Sequence, residues 1–126
     1  MREAVIVSAV RTALARAITG SFRNTRPEHT AAEAVKEAVR RASGLRPEDI
    51  DDLVMGCSFP EAEMGMNLGR VIALKAGLSS QVPGMTVNRY CASGLEAIAI
   101  ACQRIMCGFA DAMVAAGVEN MTLVPM

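Results

Sequence analysis

Val87-Asn88-Arg89-Tyr90-Cys91-Ala92-Ser93-Gly94-Leu95-Glu96-Ala97-Ile98 decides the fold. An apolar, β-prone lead-in runs into a sharp polar turn, and a small-residue helix follows. That order of elements is expected to place the Cys91 sulfur at a helix N-terminus. Unpaired backbone N–H groups and the positive end of the helix dipole there favour thiolate over thiol. A thiolate so placed is a nucleophile, and acyl transfer is a reaction class that uses one.

Working outward, the same alternation repeats. Residues 4–10, Ala-Val-Ile-Val-Ser-Ala-Val, read as a first strand, apolar on both faces. A long loop follows, broken by Gly20 and Pro27. Thr30 and Glu33 match a capping box. The helix behind them carries Ala34, Val35, Ala38, Val39 and Ala42 on one face and stops at Gly44. Residues 46–50 read as a turn or short helix, 53–57 as a second strand and 60–65 as a loop. Residues 67–76 read as a second helix ended by Gly77, and 85–88 as a short third strand. The third helix is expected to start near Cys91 or Ala92 and to stop at Gly108. Residues 112–118 read as a fourth strand.

The pattern β-α-β-α-β-α-β predicts an α/β domain with helices on both faces of a mostly parallel sheet. In such sheets, sites gather where strand ends meet helix starts. A chain of 126 residues has room for one domain, taken as residues 1–126. The third helix places Ser93, Glu96, Gln103 and Arg104 on a polar stripe. Its apolar residues, among them Ala97, Ile98, Ala101, Cys102 and Ile105, fill more than half the circumference. A surface helix needs a narrower arc, so this one is expected to lie between layers.

Thirteen basic residues balance 13 acidic ones, and the overall charge points neither to nucleic acid nor to an anionic membrane. No apolar run reaches transmembrane length. Locally, Arg11, Arg16, Arg23 and Arg26 fall in a stretch without Asp or Glu. It reads either as a solvated basic loop or as a contact for a phosphate-bearing ligand or another subunit. The cysteines are Cys57, Cys91, Cys102 and Cys107. There is no C-x-x-C, and His29 is the one histidine, so a Cys/His zinc site finds little support. Without a signal peptide, reduced thiols of a cytoplasmic protein are expected. Cys57, Cys102 and Cys107 read as packing residues. Ser93 lacks the preceding glycine of a G-x-S-x-G elbow and reads as a first-turn group that orients the loop. Gly94 is expected to permit close approach of backbone or substrate. Asn88 and Arg89 read as turn-builders, and the methionines at 55, 64, 66, 85, 106 and 113 as core filler.

Asn88-x-x-Cys91-x-Ser93-Gly94-x-x-Ala97 resembles the acyl-enzyme signature of the thiolase family. Val5-Ser8-Ala9-Arg11-Thr12 resembles the family's first strand and loop, and Gly56 the glycine that ends its second strand. Glu63-x-Gly65-x-Asn67-x-x-Arg70 is similar to the stretch entering its second helix, in the form typical of degradative 3-ketoacyl-CoA thiolases. Ala116-Gly117-x-Glu119-x-Met121, with Pro125, resembles its Gly-Gly-x-Glu-x-Met segment. Ala13 stands where a proline is usual, and Ala116 where the first of the paired glycines is usual.

The resemblance implies a thiolase-like fold, of which this chain is an N-terminal part without the fifth strand. It implies thiolytic cleavage of 3-oxoacyl-CoA, or the reverse condensation of acetyl-CoA, through an acyl-cysteine at Cys91. Acyl-CoA and coenzyme A are then substrates; no cofactor or metal is called for. The catalytic His, the second Cys, the water-holding Asn and most coenzyme A contacts are expected in the remainder of a longer, homo-oligomeric parent. Residues 1–126 alone are therefore expected to lack turnover and to expose apolar surface. Glu119 lies outside the implied catalytic set and reads as a loop brace. Two rivals stand beside this: a ketoacyl-carrier-protein synthase relative, and a non-catalytic assembly fragment.

Overall fold

Asp52–Gly56 forms β1, and every residue of it is buried. A computed structural model describes residues 2–124. β1 is the middle strand of a three-stranded parallel sheet, flanked by β2 (Gly84–Val87) and β3 (Met113–Gly117). Burial on both sides explains its unbroken apolar run. Alternate residues face opposite layers. Leu53, Met55 and Cys57 join the main core with Ala32, Val35, Leu68 and Ile72. These come from α1 (Pro27–Arg41) and α2 (Leu68–Lys75). Asp52 and Gly56 meet α3 (Ser93–Met106) instead: Asp52 pairs with Arg104, and Gly56 lies under Ser93. The layered parallel α/β architecture thus agrees with the sequence pattern.

The close approach at Gly56 sets where α3 begins. A Cβ there would lie 2.4 Å from the Ser93 carbonyl carbon and 2.5 Å from its oxygen. Only glycine lets the first turn of α3 press onto the end of β1. On α2, Asn67 caps the helix by accepting from the Arg70 N–H at 3.3 Å, and its amide donates to the Gly84 carbonyl at 2.8 Å. Arg70 donates to the Ser80 and Val82 carbonyls. Ala116, one of the two departures from the family pattern, pairs with Met55 inside β3 and has ordinary strand geometry.

Four expectations need correction. Residues 4–10 form no strand; they carry no regular secondary structure. A strand needs a ladder partner for its N–H and C=O groups. Among the described residues none is bonded to this segment, and β3 stands at the sheet edge. The segment instead lines a cleft of about 640 Å³ whose far wall includes Val114, Ala116, Ala34 and Ile105. The sheet therefore has three strands, not four.

The first helix also starts a turn early, at Pro27, with Arg26 as N-cap and no side-chain cap. Proline is pre-set for the first helical position and keeps the residue before it extended. Thr30 is left inside the helix, where its hydroxyl donates to the Pro27 carbonyl at 2.9 Å. The buried Glu28 takes the first turn, bonded to Arg26 at 2.5 Å, and Arg26 also pairs with Glu63. Burial raises the Glu28 pKa, but the Arg26 hydrogen bond, its own backbone and the Arg26 and Lys75 charges outweigh it, leaving the carboxyl below its usual range. Arg26 is thus a structural brace. Arg11 and Arg23 are exposed and bond nearby main-chain carbonyls, as in a solvated loop.

Third, α3 buries Ser93, Ala97 and Ala101 against the sheet, while Ile98 and Leu95 are exposed. Among the described residues one layer covers this helix, and the second layer expected from its wide apolar arc is not among them. Fourth, Cys107 is exposed, and Met66 is 96% exposed with φ +61°, so neither is a packing residue.

Two tests follow from this packing. Gly56→Ala is expected to destabilise the fold by about 1–3 kcal/mol, because backbone has to move to admit the methyl; urea unfolding measures it. The exposed Val5, Ile6 and Val7 (67–75% exposed) and the cleft behind them should bind a hydrophobic dye. Replacing all three by Ser should lower dye fluorescence and change stability by no more than about 0.5 kcal/mol.

Candidate active site

The register of the sheet brings Gly56, Val87 and Gly117 level with one another. The segments that follow the three strands therefore meet at one edge, the usual place for a site in a parallel sheet. Ser58 arrives from β1, Cys91 from β2 and Glu119 from β3. With Gly56, Tyr90 and Gly94 they line an open depression of about 350 Å³.

The turn carrying Cys91 is held from several sides. Asn88 Oδ1 accepts from the Tyr90 N–H at 2.9 Å, and Asn88 Nδ2 donates to the Ser58 carbonyl at 3.0 Å. The buried Ser93 hydroxyl accepts from the Arg89 N–H at 2.8 Å and donates to the Tyr90 carbonyl at 2.6 Å. Arg89 itself pairs with Glu96 at 2.8 Å. Asn88, Arg89 and Ser93 are therefore turn-builders, as their residue types indicate. Tyr90 takes a left-handed φ of +48°, although it is not glycine. Such a conformation costs of order 1–3 kcal/mol and persists only where neighbours over-determine it.

α3 begins at Ser93 with Ala92 as its N-cap, so Cys91 stands one residue ahead of the cap and is exposed. Ala92 and Ser93 donate their N–H groups to the Arg89 and Tyr90 carbonyls. The N–H groups of Cys91, Gly94 and Leu95 have no acceptor among the described residues. An anion at the Cys91 sulfur or beside it would meet these donors. A Cβ on Gly94 would touch nothing within 4 Å, so its missing side chain leaves the depression open, while its backbone N shares the close contact at Gly56, where a Cβ would lie 2.7 Å from it.

Sequence reading missed how Ser58 and Glu119 join the turn. Glu119 accepts from the Ser58 N–H at 2.7 Å and the Phe59 N–H at 3.3 Å. The Cys57 thiol donates to the same carboxylate at 3.6 Å. Ser58 Oγ donates to the Tyr90 carbonyl at 2.7 Å. Glu119 was legible as a brace; Ser58 gave no signal, because its partners lie 32 and 61 residues away. Burial, and then the Glu119 charge, push the Cys57 thiol up to about 11. His29 is exposed in the first turn of α1 and does not line the depression. Pro125, part of the Ala116–Met121 resemblance, lies outside the described residues. Among the described residues no three His, Cys, Asp or Glu side chains gather as metal ligands would.

Fold and site together define a parallel α/β domain that presents an exposed cysteine where a strand end turns into a helix. The chain belongs to the thiolase family: residues 4–126 match the family model for the thiolase N-terminal domain. It is 50% identical to a 3-ketoacyl-CoA thiolase of Bacillus subtilis (strain 168), over all of this chain and 32% of that protein. It is 43% identical to a 3-ketoacyl-CoA thiolase of Colwellia psychrerythraea, over all of this chain and 33% of the relative. The crystal structure of the Bacillus anthracis acetyl-CoA acetyltransferase superposes with a TM-score of 0.92 at 34% identity, covering 99% of this chain and 31% of that one. The chain thus spans about a third of the length of the relatives it matches.

Two exposed cysteines stand at opposite ends of α3, and this gives an internal control. Cys91 precedes its N-terminus, and Cys107 is its C-cap. Iodoacetamide at pH 8 should alkylate Cys91 first, Cys107 more slowly, and Cys57 last, read thiol by thiol by peptide mass spectrometry. Cys57 is held as the thiol until pH approaches about 11, so its labelling should rise only there. Equal rates at Cys91 and Cys107 would remove the electrostatic argument for the helix start.

Proposed function

We propose that these residues supply the nucleophile-bearing part of an acyltransferase that cleaves 3-oxoacyl-CoA with coenzyme A, or runs the reverse condensation. One observation carries the reading: Cys91 is exposed, lines the depression where three strand ends meet, and has a backbone N–H free to donate. Family membership and the names of the relatives support it.

The chemistry follows from the sulfur. Cys91 attacks the 3-oxo carbon; an S–C bond forms and the carbonyl electrons move to oxygen. The Cys91 N–H stands at the sulfur's own residue, where it can donate to that developing charge. When the oxyanion collapses, the C2–C3 bond breaks. The acyl group stays on Cys91 as a thioester, and the electron pair leaves on C2 as the enolate of acetyl-CoA. Protonation at C2 releases acetyl-CoA. The thiol of a second coenzyme A then attacks the acyl-cysteine, takes the shortened acyl group, and the proton returns to the Cys91 sulfur. The thioester itself activates the carbon, so the cycle calls for no metal or prosthetic group.

Deprotonating one thiol and protonating C2 need a positioned base and acid. Each such role is worth roughly 10²–10⁴-fold, and His29 is not placed for either. These 126 residues are therefore expected not to turn over 3-oxoacyl-CoA, and acyl exchange from a simple thioester onto Cys91 is the most they can do. The proposal extends to a cytoplasmic homo-oligomer of fatty acid metabolism. Four free cysteines are in keeping with a reducing compartment, and the open edge of β2 gives a second copy a place to pair. Among the described residues no helix is long and apolar enough to cross a membrane.

Incubation with acetyl-CoA is expected to add one acetyl group at Cys91 and release one coenzyme A, without further turnover. Cys91→Ser should abolish the mass gain. Absence of acylation in the unsubstituted chain, with both acetyl-CoA and acetoacetyl-CoA, would leave a non-catalytic assembly module as the better description.

A further inference from the structure

The Tyr90 carbonyl is bonded more heavily than a single oxygen ordinarily is. It accepts from Ser93 Oγ at 2.6 Å, Ser58 Oγ at 2.7 Å and the Ser93 N–H at 3.0 Å. A carbonyl oxygen has two lone pairs, so three donors converge on it from the inner side of the turn. The peptide between Tyr90 and Cys91 is trans and planar. In a trans peptide the C=O and N–H bonds point in opposite directions. Whatever pins the Tyr90 oxygen inward therefore turns the Cys91 N–H outward, and that N–H has no acceptor among the described residues. Two of the three donors belong to Ser93, in the helix that follows. The third, Ser58, comes from the segment after β1, and its backbone is fixed by the Glu119 carboxylate from the segment after β3.

We infer that Ser58, braced by Glu119, is a positioning residue: it holds the Tyr90–Cys91 peptide so that the Cys91 N–H points at the oxygen of a thioester attacked by Cys91. Both act through the peptide plane. The inference rests on the proposed acyl transfer and adds to it the groups that aim its oxyanion donor. Glu119 has a second consequence at the same place. Its carboxylate accepts from the buried Cys57 thiol, and Cys91 is the cysteine at this edge that lies open to solvent.

Two reactions of the same sulfur separate aim from mere integrity. In acylation by acetyl-CoA, the Cys91 sulfur forms a bond to the acetyl carbon, an oxyanion appears, and the coenzyme A sulfur leaves with the proton given up by Cys91. Alkylation by iodoacetamide displaces iodide and creates no oxyanion. Ser58→Ala should slow acylation by about threefold to tenfold, the range of one hydrogen bond, and leave the alkylation rate unchanged. Ser58→Thr keeps the hydroxyl and should restore acylation. Glu119→Ala should slow acylation by at least as much and, by removing the charge that helps keep Cys57 protonated, bring the onset of Cys57 labelling to lower pH, with helix content by circular dichroism unchanged.

Equal losses in acylation and alkylation for Ser58→Ala, or no loss in either, would overturn the inference while leaving the acyl transfer in place. If the unsubstituted chain does not acylate, the functional reading fails, and amide hydrogen exchange still decides the geometry. The Tyr90 and Ser93 amides should exchange faster in Ser58→Ala and return to the original rate in Ser58→Thr. Unchanged exchange would sink the role given to Ser58.

Discussion

The close contact between Gly56 and the first turn of α3 is the constraint on which the rest depends. Two stretches of backbone meet where any other residue would hold them apart. The helix is fixed against the very end of the central strand, so the chain leaving β2 has only Asn88 to Ala92 in which to reach it. A turn that short cannot be relaxed everywhere, and the strain settles on Tyr90 with its left-handed φ. Hydrogen bonds from Asn88, Ser58 and Ser93 offset that strain. The exposed cysteine is the next residue. The site is thus a by-product of where the helix must start, and the polar groups around it serve mainly to keep the turn from unwinding.

The two ends of β1 handle charge in different ways. At the start, the nearly buried Asp52 is paired with Arg104 of α3 and accepts from the Leu53 N–H at 2.8 Å. At the far end, the Glu119 carboxylate has backbone N–H groups as partners, and among the described residues no cation pairs with it. That leaves its charge free to act on its surroundings, and it adds to burial in keeping the Cys57 thiol protonated. Two cysteines close to one strand edge therefore have opposite environments: Cys57 is covered and faces a carboxylate, while Cys91 is open and stands ahead of a helix start. Position in the fold, not residue type, separates them.

Much of this was legible in the sequence, for identifiable reasons. The strand–turn–helix around Cys91, the Asn67 start of α2 and the three paired strands all follow from local signals: a polar turn, a capping side chain, short apolar runs closed by glycine. What failed was non-local. Residues 4–10 have the composition of a strand, but a strand is a property of two chains of hydrogen-bonding groups, and no partner is bonded here. Thr30 and Glu33 have the spacing of a capping box, but Pro27 starts the helix sooner. Residue pattern correctly foretold that α3 is apolar over a wide arc; it did not tell how much of that arc the described residues cover. Ser58 was invisible, because a serine after a strand announces nothing until the partner 32 residues on is brought to it.

The residues through which the chain resembles its family divide unevenly between chemistry and support. Glu63 pairs with Arg26, Asn67 caps α2 and ties it to β2, and Arg70 holds the loop before β2. Asn88 and Ser93 shape the turn, and Glu119 fixes the segment beside it. Of these motif positions, Cys91 alone has a side chain suited to forming a bond with a substrate and lies open to one. A motif of this kind is mostly a description of how one peptide plane and one sulfur are kept in place. This agrees with the physical demand: an oxyanion donor is effective only when aimed before the charge appears, and aim at the ångström level needs support from several elements at once. Here the support comes from the ends of all three strands, which explains why the motif positions lie so far apart in sequence and yet meet at one edge of the sheet.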